Sequence, residues 1–169
     1  MQKNIVLVGL MGAGKSSVAR YLSAKLDREV VSTDAFIEEQ QKKSIAQIFR
    51  DEGEPFFRKR EKEAVKEIVK REGIIIDCGG GVVIDPVNIQ NLKKNGVIFY
   101  ISASPGFLYQ KIKEKTQRPL METNDPEARL RQLLAEREVN YRKADHILET
   151  TGMTIEQIGG AVIKKLKKE

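Results

Sequence analysis

The run Gly9-Leu10-Met11-Gly12-Ala13-Gly14-Lys15-Ser16 constrains this chain more than any other feature, because of what stands on either side of it. The apolar run Ile5-Val6-Leu7-Val8 precedes it, and Val18, Leu22 and Leu26 follow at helical spacing. A strand, a glycine-rich turn and a helix start therefore succeed one another directly. The pattern Gly-x-x-x-x-Gly-Lys-Ser asks the backbone to wrap around an anion: glycine permits the turn, and successive N–H groups point inward. The helix beginning near Lys15 adds the positive end of its dipole. In such a loop Lys15 reaches the β- and γ-phosphates, and the Ser16 hydroxyl is a magnesium ligand. Gly12, Ala13, Gly14 and Ser17 complete the predicted nucleotide-binding set. The loop predicts ATP with Mg²⁺ and leaves the acceptor of the phosphoryl group open.

Further apolar runs of strand length are Val30-Val31, Ile74-Ile75-Ile76, Val97-Ile98-Phe99-Tyr100-Ile101 and the short Ile147-Leu148. They are continuous rather than alternating, which is how a strand covered on both faces reads, so the sheet is expected to be parallel. Helices with visible start signals lie between them: Ser104-Pro105, Asp85-Pro86 and Asp125-Pro126 each offer a cap followed by proline in the first turn. The stretch after Asp125 places Leu130, Leu133, Leu134 and Tyr141 on one face, and the last helix does the same with Ile155, Ile158, Val162 and Leu166. Strands alternating with helices predict an α/β fold, doubly wound about a five-stranded parallel sheet in three layers. The chain has 169 residues and no repeat or linker that would divide it, so residues 1–169 are expected to form a single domain.

Composition excludes several classes. One cysteine, Cys78, rules out an internal disulfide framework and suits a reducing compartment. The net charge of +6 owes much to Lys164-Lys165-Leu166-Lys167-Lys168, where cations favour a helix C-terminus. Aromatics at 6% leave no basic-aromatic stripe for nucleic acid, and no apolar run is long enough to span a membrane. A cytoplasmic, monomeric protein with small anionic ligands is the expectation.

Three classes fit a phosphate loop: a small-molecule kinase, a GTPase switch and an ATP-dependent interaction module. Asp77-Cys78-Gly79-Gly80 formally matches the Asp-x-x-Gly of a switch, but no Asn-Lys-x-Asp follows the run Val97–Ile101 to read guanine. The acceptor side is more specific. Thr33-Asp34 closes the second strand, and Phe57-Arg58-x-x-Glu61 opens a long helix after Gly53. Gly79-Gly80-Gly81 ends the third strand, and Arg118-Pro119-Leu120 and Arg137-x-x-x-Tyr141 follow. In an open parallel sheet, ligands bind beyond the carboxyl ends of the strands, so the loops at Asp34 and Gly79–Gly81 are expected near the phosphate loop.

In that order these residues resemble the shikimate kinase family over nearly the whole chain. The resemblance implies the fold of nucleoside monophosphate kinases. It also implies transfer of the ATP γ-phosphoryl group to the 3-hydroxyl of shikimate, a step toward chorismate and the aromatic amino acids. It assigns an acceptor-binding segment to about residues 33–61 and a lid to about 113–124. Arg58 and Arg137 would take the shikimate carboxylate, for which a planar cationic fork is suited where lysine is not. Asp34 would orient the reacting hydroxyl and accept its proton, with a helix N-cap as its alternative role. Gly79, Gly80 and Gly81 would let the substrate ring approach main-chain donors. Arg118 would fold down with the lid onto the phosphates, and Lys111 stands where the family commonly packs an arginine on adenine.

Two departures from the family pattern meet at the magnesium edge. The family commonly has an aspartate two residues before Asp34, where this chain has Ser32, and a small polar residue at the third strand's end, where it has Asp77. Asp77 is thus a candidate to replace the missing carboxylate from the adjacent strand, with unrelated drift as the alternative. Cys78 and His146 are read as structural.

Overall fold

The computed structural model describes residues 2–114 and 123–169. Five parallel strands, β1 (Asn4–Val8), β2 (Val30–Ser32), β3 (Ile75–Asp77), β4 (Gly96–Ser102) and β5 (His146–Glu149), form one sheet in the order β2-β3-β1-β4-β5. Every residue of β1 is buried, as its continuous apolar run predicts for the central strand. The helices are α1 (Lys15–Leu26), α2 (Thr33–Gln41), α3 (Ile45–Asp51), α4 (Glu54–Ile68), α5 (Pro86–Lys94), α6 (Pro105–Lys113), α7 (Pro126–Tyr141) and α8 (Ile155–Leu166).

The crossover through α1 carries the chain from β1 to the β2 edge, whereas α5 carries it from β3 back past β1 to β4. Right-handed crossovers in opposite directions put their helices on opposite faces of the sheet. Helix α8 packs against α1 on one face, and α5 packs on β4 from the other. The result is three layers. The direction of winding reverses at β1, so the loop after β1 opens into the crevice where such sheets bind ligands.

The start signals read from the sequence operate as caps. Ser104 accepts from the Phe107 N–H, Asp85 from Val87 and Asp125 from Ala128. Helix α3 had no counterpart in the sequence reading. Its Ser44 and Gln47 form a reciprocal capping box, each side chain accepting from the other's backbone N–H. Gly53, at φ 84°, then turns the chain sharply into α4.

Candidate active site

Helix α1 starts from Gly14, whose φ of 85° and ψ of 17° lie in the left-handed region that a side chain would strain. That turn places the unpaired N–H groups of the first helical turn beside the loop. Lys15 is almost fully buried, and its ammonium donates to the Gly9 carbonyl at 2.7 Å and the Leu10 carbonyl at 3.2 Å. It therefore folds back along the loop that carries it. Ser16 donates its hydroxyl to Asp77 Oδ2 at 2.6 Å, joining the start of α1 to the end of β3.

Register brings the two departures at the strand ends together: Ser32 and Asp77 are aligned partners across β2 and β3. Ser32 serves the backbone, accepting from the Ala35 N–H as the N-cap of α2. This corrects the alternative role considered for Asp34, which sits within the first turn of α2 rather than at its cap. Asp34 Oδ1 is sealed from solvent and makes no hydrogen bond among the described residues. Burial pushes its pKa up; the Lys15 cation opposes this, and the Asp77 and Glu38 carboxylates add to it.

The three glycines after β3 are crowded by neighbouring side chains in a way the local sequence does not reveal. A Cβ on Gly79 would collide with Asp34 Oδ1, and one on Gly81 would collide with the Arg58 guanidinium. None of the three has a positive φ, so it is the close approach of charged side-chain ends, not backbone conformation, that crowds positions 79 and 81. A Cβ on Gly80 would lie 3.6 Å from Arg137 Nη1 and 3.7 Å from the Met11 nitrogen, so the loop touches both Arg137 and the phosphate loop.

Arg58 is held on α4 by Glu61 at 3.0 Å and Glu54 at 3.2 Å. Glu61 is 1% exposed, and its second oxygen has no partner among the described residues. Burial raises its pKa to about 7 against the pull of Arg58 and Arg137. Arg137, on α7, is 5% exposed with Nη1 likewise unpartnered. A buried guanidinium nitrogen without an acceptor costs free energy that an incoming carboxylate would recover.

A cleft of about 570 Å³ runs along the phosphate loop, and Arg58, Glu61, Gly81 and Arg137 lie outside its lining. One end is lined by Ser32, Asp34, Glu38, Gly79 and Gly80, the middle by the loop from Met11 to Ser17, and the other end by Phe107, Lys111, Ile112, Met153 and Ile155. The Lys111 ammonium lies 5.5 Å from the Phe107 ring centroid, one turn away on α6. Phe107, Met153 and Thr154 are absent from the sequence expectations, and Ile155 enters them only on the apolar face of the last helix, although Phe107 and Lys111 stand at i,i+4 spacing just after a visible cap. Arg118 and most of the segment 113–124 lie outside the described residues. Among the described residues, no helix is long and apolar enough to cross a membrane.

The family model for shikimate kinase matches residues 11–167. The chain belongs to the shikimate kinase family. It is 42% identical over 162 residues to a shikimate kinase of Caldanaerobacter subterraneus subsp. tengcongensis, covering 96% of this chain and 95% of the relative. It is 40% identical to one of Thermodesulfovibrio yellowstonii, with 98% and 96% covered. Among solved structures it matches the Acinetobacter baumannii shikimate kinase in complex with shikimate, with a TM-score of 0.95, 32% identity, and 99% and 94% of the two chains covered. A gluconokinase from Sinorhizobium meliloti 1021, at 15% identity and a TM-score of 0.67, shares the fold alone, with 98% and 92% covered. Family membership disposes of the GTPase alternative and accounts for the motif order from the phosphate loop to Arg137.

Proposed function

We infer that this chain is a shikimate kinase, transferring the γ-phosphoryl group of ATP to the 3-hydroxyl of shikimate to give shikimate 3-phosphate and ADP. Beyond family membership, the observation that carries the reading is the pairing of two arginines with an unpartnered buried carboxylate around one glycine loop. That loop lies against the phosphate loop in the same cleft. Shikimate offers one carboxylate and three hydroxyls; Asp34 on the cleft wall and the two arginines beside the glycine loop are complements for both.

The roles follow from chemistry. Arg58 and Arg137 receive the acceptor carboxylate, with Glu61 and Glu54 keeping the Arg58 fork oriented. Asp34, with its raised proton affinity, accepts from the 3-hydroxyl and takes its proton. The hydroxyl oxygen bonds to the γ-phosphorus as the bond to the β–γ bridging oxygen breaks, and ADP leaves with that electron pair. Lys15 exchanges its contacts with the loop carbonyls for phosphate oxygens and neutralises developing charge. Gly12, Ala13, Gly14, Ser16 and Ser17 wrap the phosphates, while Lys111 and Phe107 border the base end of the cleft. Arg118 is assigned to the phosphates from the sequence alone.

A magnesium ion fits the donor set at the head of α1. Ser16 and Asp77 would hold it: one hydroxyl and one carboxylate, already adjacent at 2.6 Å, leave most of an octahedral shell to water and phosphate, as this ion prefers. When bound it neutralises phosphate charge. We assign the chain one domain, with its acceptor-binding segment at about 33–61 and its lid at about 113–124, acting as a monomer in the cytoplasm.

The test is release of ADP with Mg²⁺ across a panel of acceptors including shikimate and gluconate. Turnover is expected with shikimate, reduced about 10²–10⁴-fold by Asp34→Asn, the range for loss of a general base. Arg137→Ala should raise the shikimate KM and leave the ATP KM in place. Turnover with another sugar acid in preference to shikimate would overturn the reading.

A further inference from the structure

The peptide joining Gly80 to Gly81 is fixed from outside the cleft by a residue with no place in the chemistry so far. Tyr141, at the end of α7, is fully buried and donates its hydroxyl to the Gly80 carbonyl at 2.5 Å. One turn earlier on the same helix stands Arg137. The Tyr141 ring stacks on Tyr100 of β4, with centroids 4.9 Å apart and planes at 19°. Tyr100 in turn donates its hydroxyl to Glu138 of α7 at 2.6 Å. Two contacts thus bind the end of α7 to the sheet, and a third reaches the glycine loop.

A second tether holds the same loop from the other side: the Gly79 N–H donates to the Thr33 hydroxyl at 2.8 Å, and Thr33 is fully buried at the start of α2. Among the described residues the Gly80 and Gly81 N–H groups make no hydrogen bond to the protein. Because a peptide unit is planar and trans, holding the Gly80 oxygen toward Tyr141 turns the Gly81 N–H the opposite way. Three consecutive glycines left untethered would sample many orientations.

We propose that Tyr141 is a positioning residue. Its hydroxyl locks the Gly80–Gly81 peptide in one orientation and thereby fixes the glycine loop in register with Arg137 on one side and the phosphate loop on the other. The inference rests on the shikimate kinase reading for its kinetic consequence, but its structural content stands apart from it. Burial raises the Tyr141 pKa to about 12, so the hydroxyl remains a donor throughout the working pH range. An orientation fixed in advance spares the loop from ordering during transfer, an effect felt in kcat more than in nucleotide affinity.

Tyr141→Phe keeps the buried ring and its stack and deletes the hydroxyl, and with it both the bond to Gly80 and the contact with the Arg137 side chain. It is expected to lower kcat about tenfold, equivalent to ~1.4 kcal/mol of barrier, with the ATP KM and the pH profile unchanged. Tyr100→Phe, which removes a hydroxyl from the same stack without touching the loop, should lower kcat less than about twofold. Amide hydrogen exchange provides a readout independent of turnover: Tyr141→Phe should speed exchange in residues 79–82 and leave the loop 9–16 as it was. Unchanged exchange at 79–82 would overturn the proposal, as would equal kcat losses in the two tyrosine variants. Absence of shikimate turnover in the unsubstituted protein would instead overturn the functional reading, while the exchange experiment would still decide the role of Tyr141.

Discussion

Glu61→Gln should abolish a pH-dependent penalty that the native fold carries. The Glu61 carboxyl is 1% exposed, with Arg58 beside it on α4, Asp34 facing it from α2 and Arg137 from α7. Burial wins over the two arginines and lifts its pKa from 4.5 to about 7. Between those values the unfolded chain has released the proton while the folded chain still holds it. Stability therefore falls as pH rises through this window and levels off above it. With a shift of one pH unit worth somewhat over 1 kcal/mol, the whole interval is worth about 3 kcal/mol, most of it lost between pH 5 and pH 8.

Glutamine has the same shape and no titration, so the variant should lack this slope. Its stability relative to the unsubstituted protein contains two parts: a constant loss from weakening the hold on Arg58, and a gain that grows with pH. Urea denaturation of both proteins at pH 5, 6, 7 and 8 separates them, because only the second part changes across the series. The difference should move in favour of the glutamine variant by about 2–3 kcal/mol, or by about 4–12 °C in melting temperature for a chain of this size. Stability curves that remain parallel across the series would refute the argument from burial.

Asp77→Asn should raise the magnesium concentration needed for half-maximal activity about 10–100-fold. Ser32→Ala should leave that requirement alone and cost about 1 kcal/mol of stability through the lost cap of α2; equal small effects on the magnesium titration would sink the assignment of Asp77. Gly81→Ala puts a methyl where the Arg58 guanidinium now lies, and that fork must move. The shikimate KM should rise at least about tenfold with the ATP KM unchanged, as measured by initial rates with each substrate varied.

The parts of this protein that could be read from its sequence are those whose physical cause is local. A strand buried on both faces is apolar at every position, so β1 and β4 announce themselves; a helix entered through Asp-Pro or Ser-Pro carries its boundary in two residues. The phosphate loop is legible for the same reason, since one unbroken segment makes the turn, the helix start and the Lys15 and Ser16 positions. The capping box at Ser44 and Gln47 was equally local and marks a helix that could have been found. The identity of the cap at α2 was not: Ser32 and Asp34 are both good caps, and only the extended φ and ψ of Ser32 decide between them.

The glycine loop belongs to the other kind. Its three residues were visible, and their meaning was read as room for substrate. Yet the space a side chain would fill at Gly79 belongs to Asp34 and that at Gly81 to Arg58, while the Gly80 carbonyl belongs to Tyr141. These partners are separated by 45, 23 and 61 positions in sequence, and no periodicity links them. The same holds at the magnesium edge, where Ser32 and Asp77 become neighbours only through the register of β2 and β3. A carboxylate there can come from either strand and still lie at the head of α1, because aligned positions on adjacent parallel strands present their side chains to the same face of the sheet. In this chain Ser32 is occupied with the cap of α2, and Asp77 is the one that reaches the Ser16 hydroxyl. On the proposed reading, β3 would thus supply from Asp77 the charge that β2 lacks at Ser32, provided the phosphate loop keeps its place beside them.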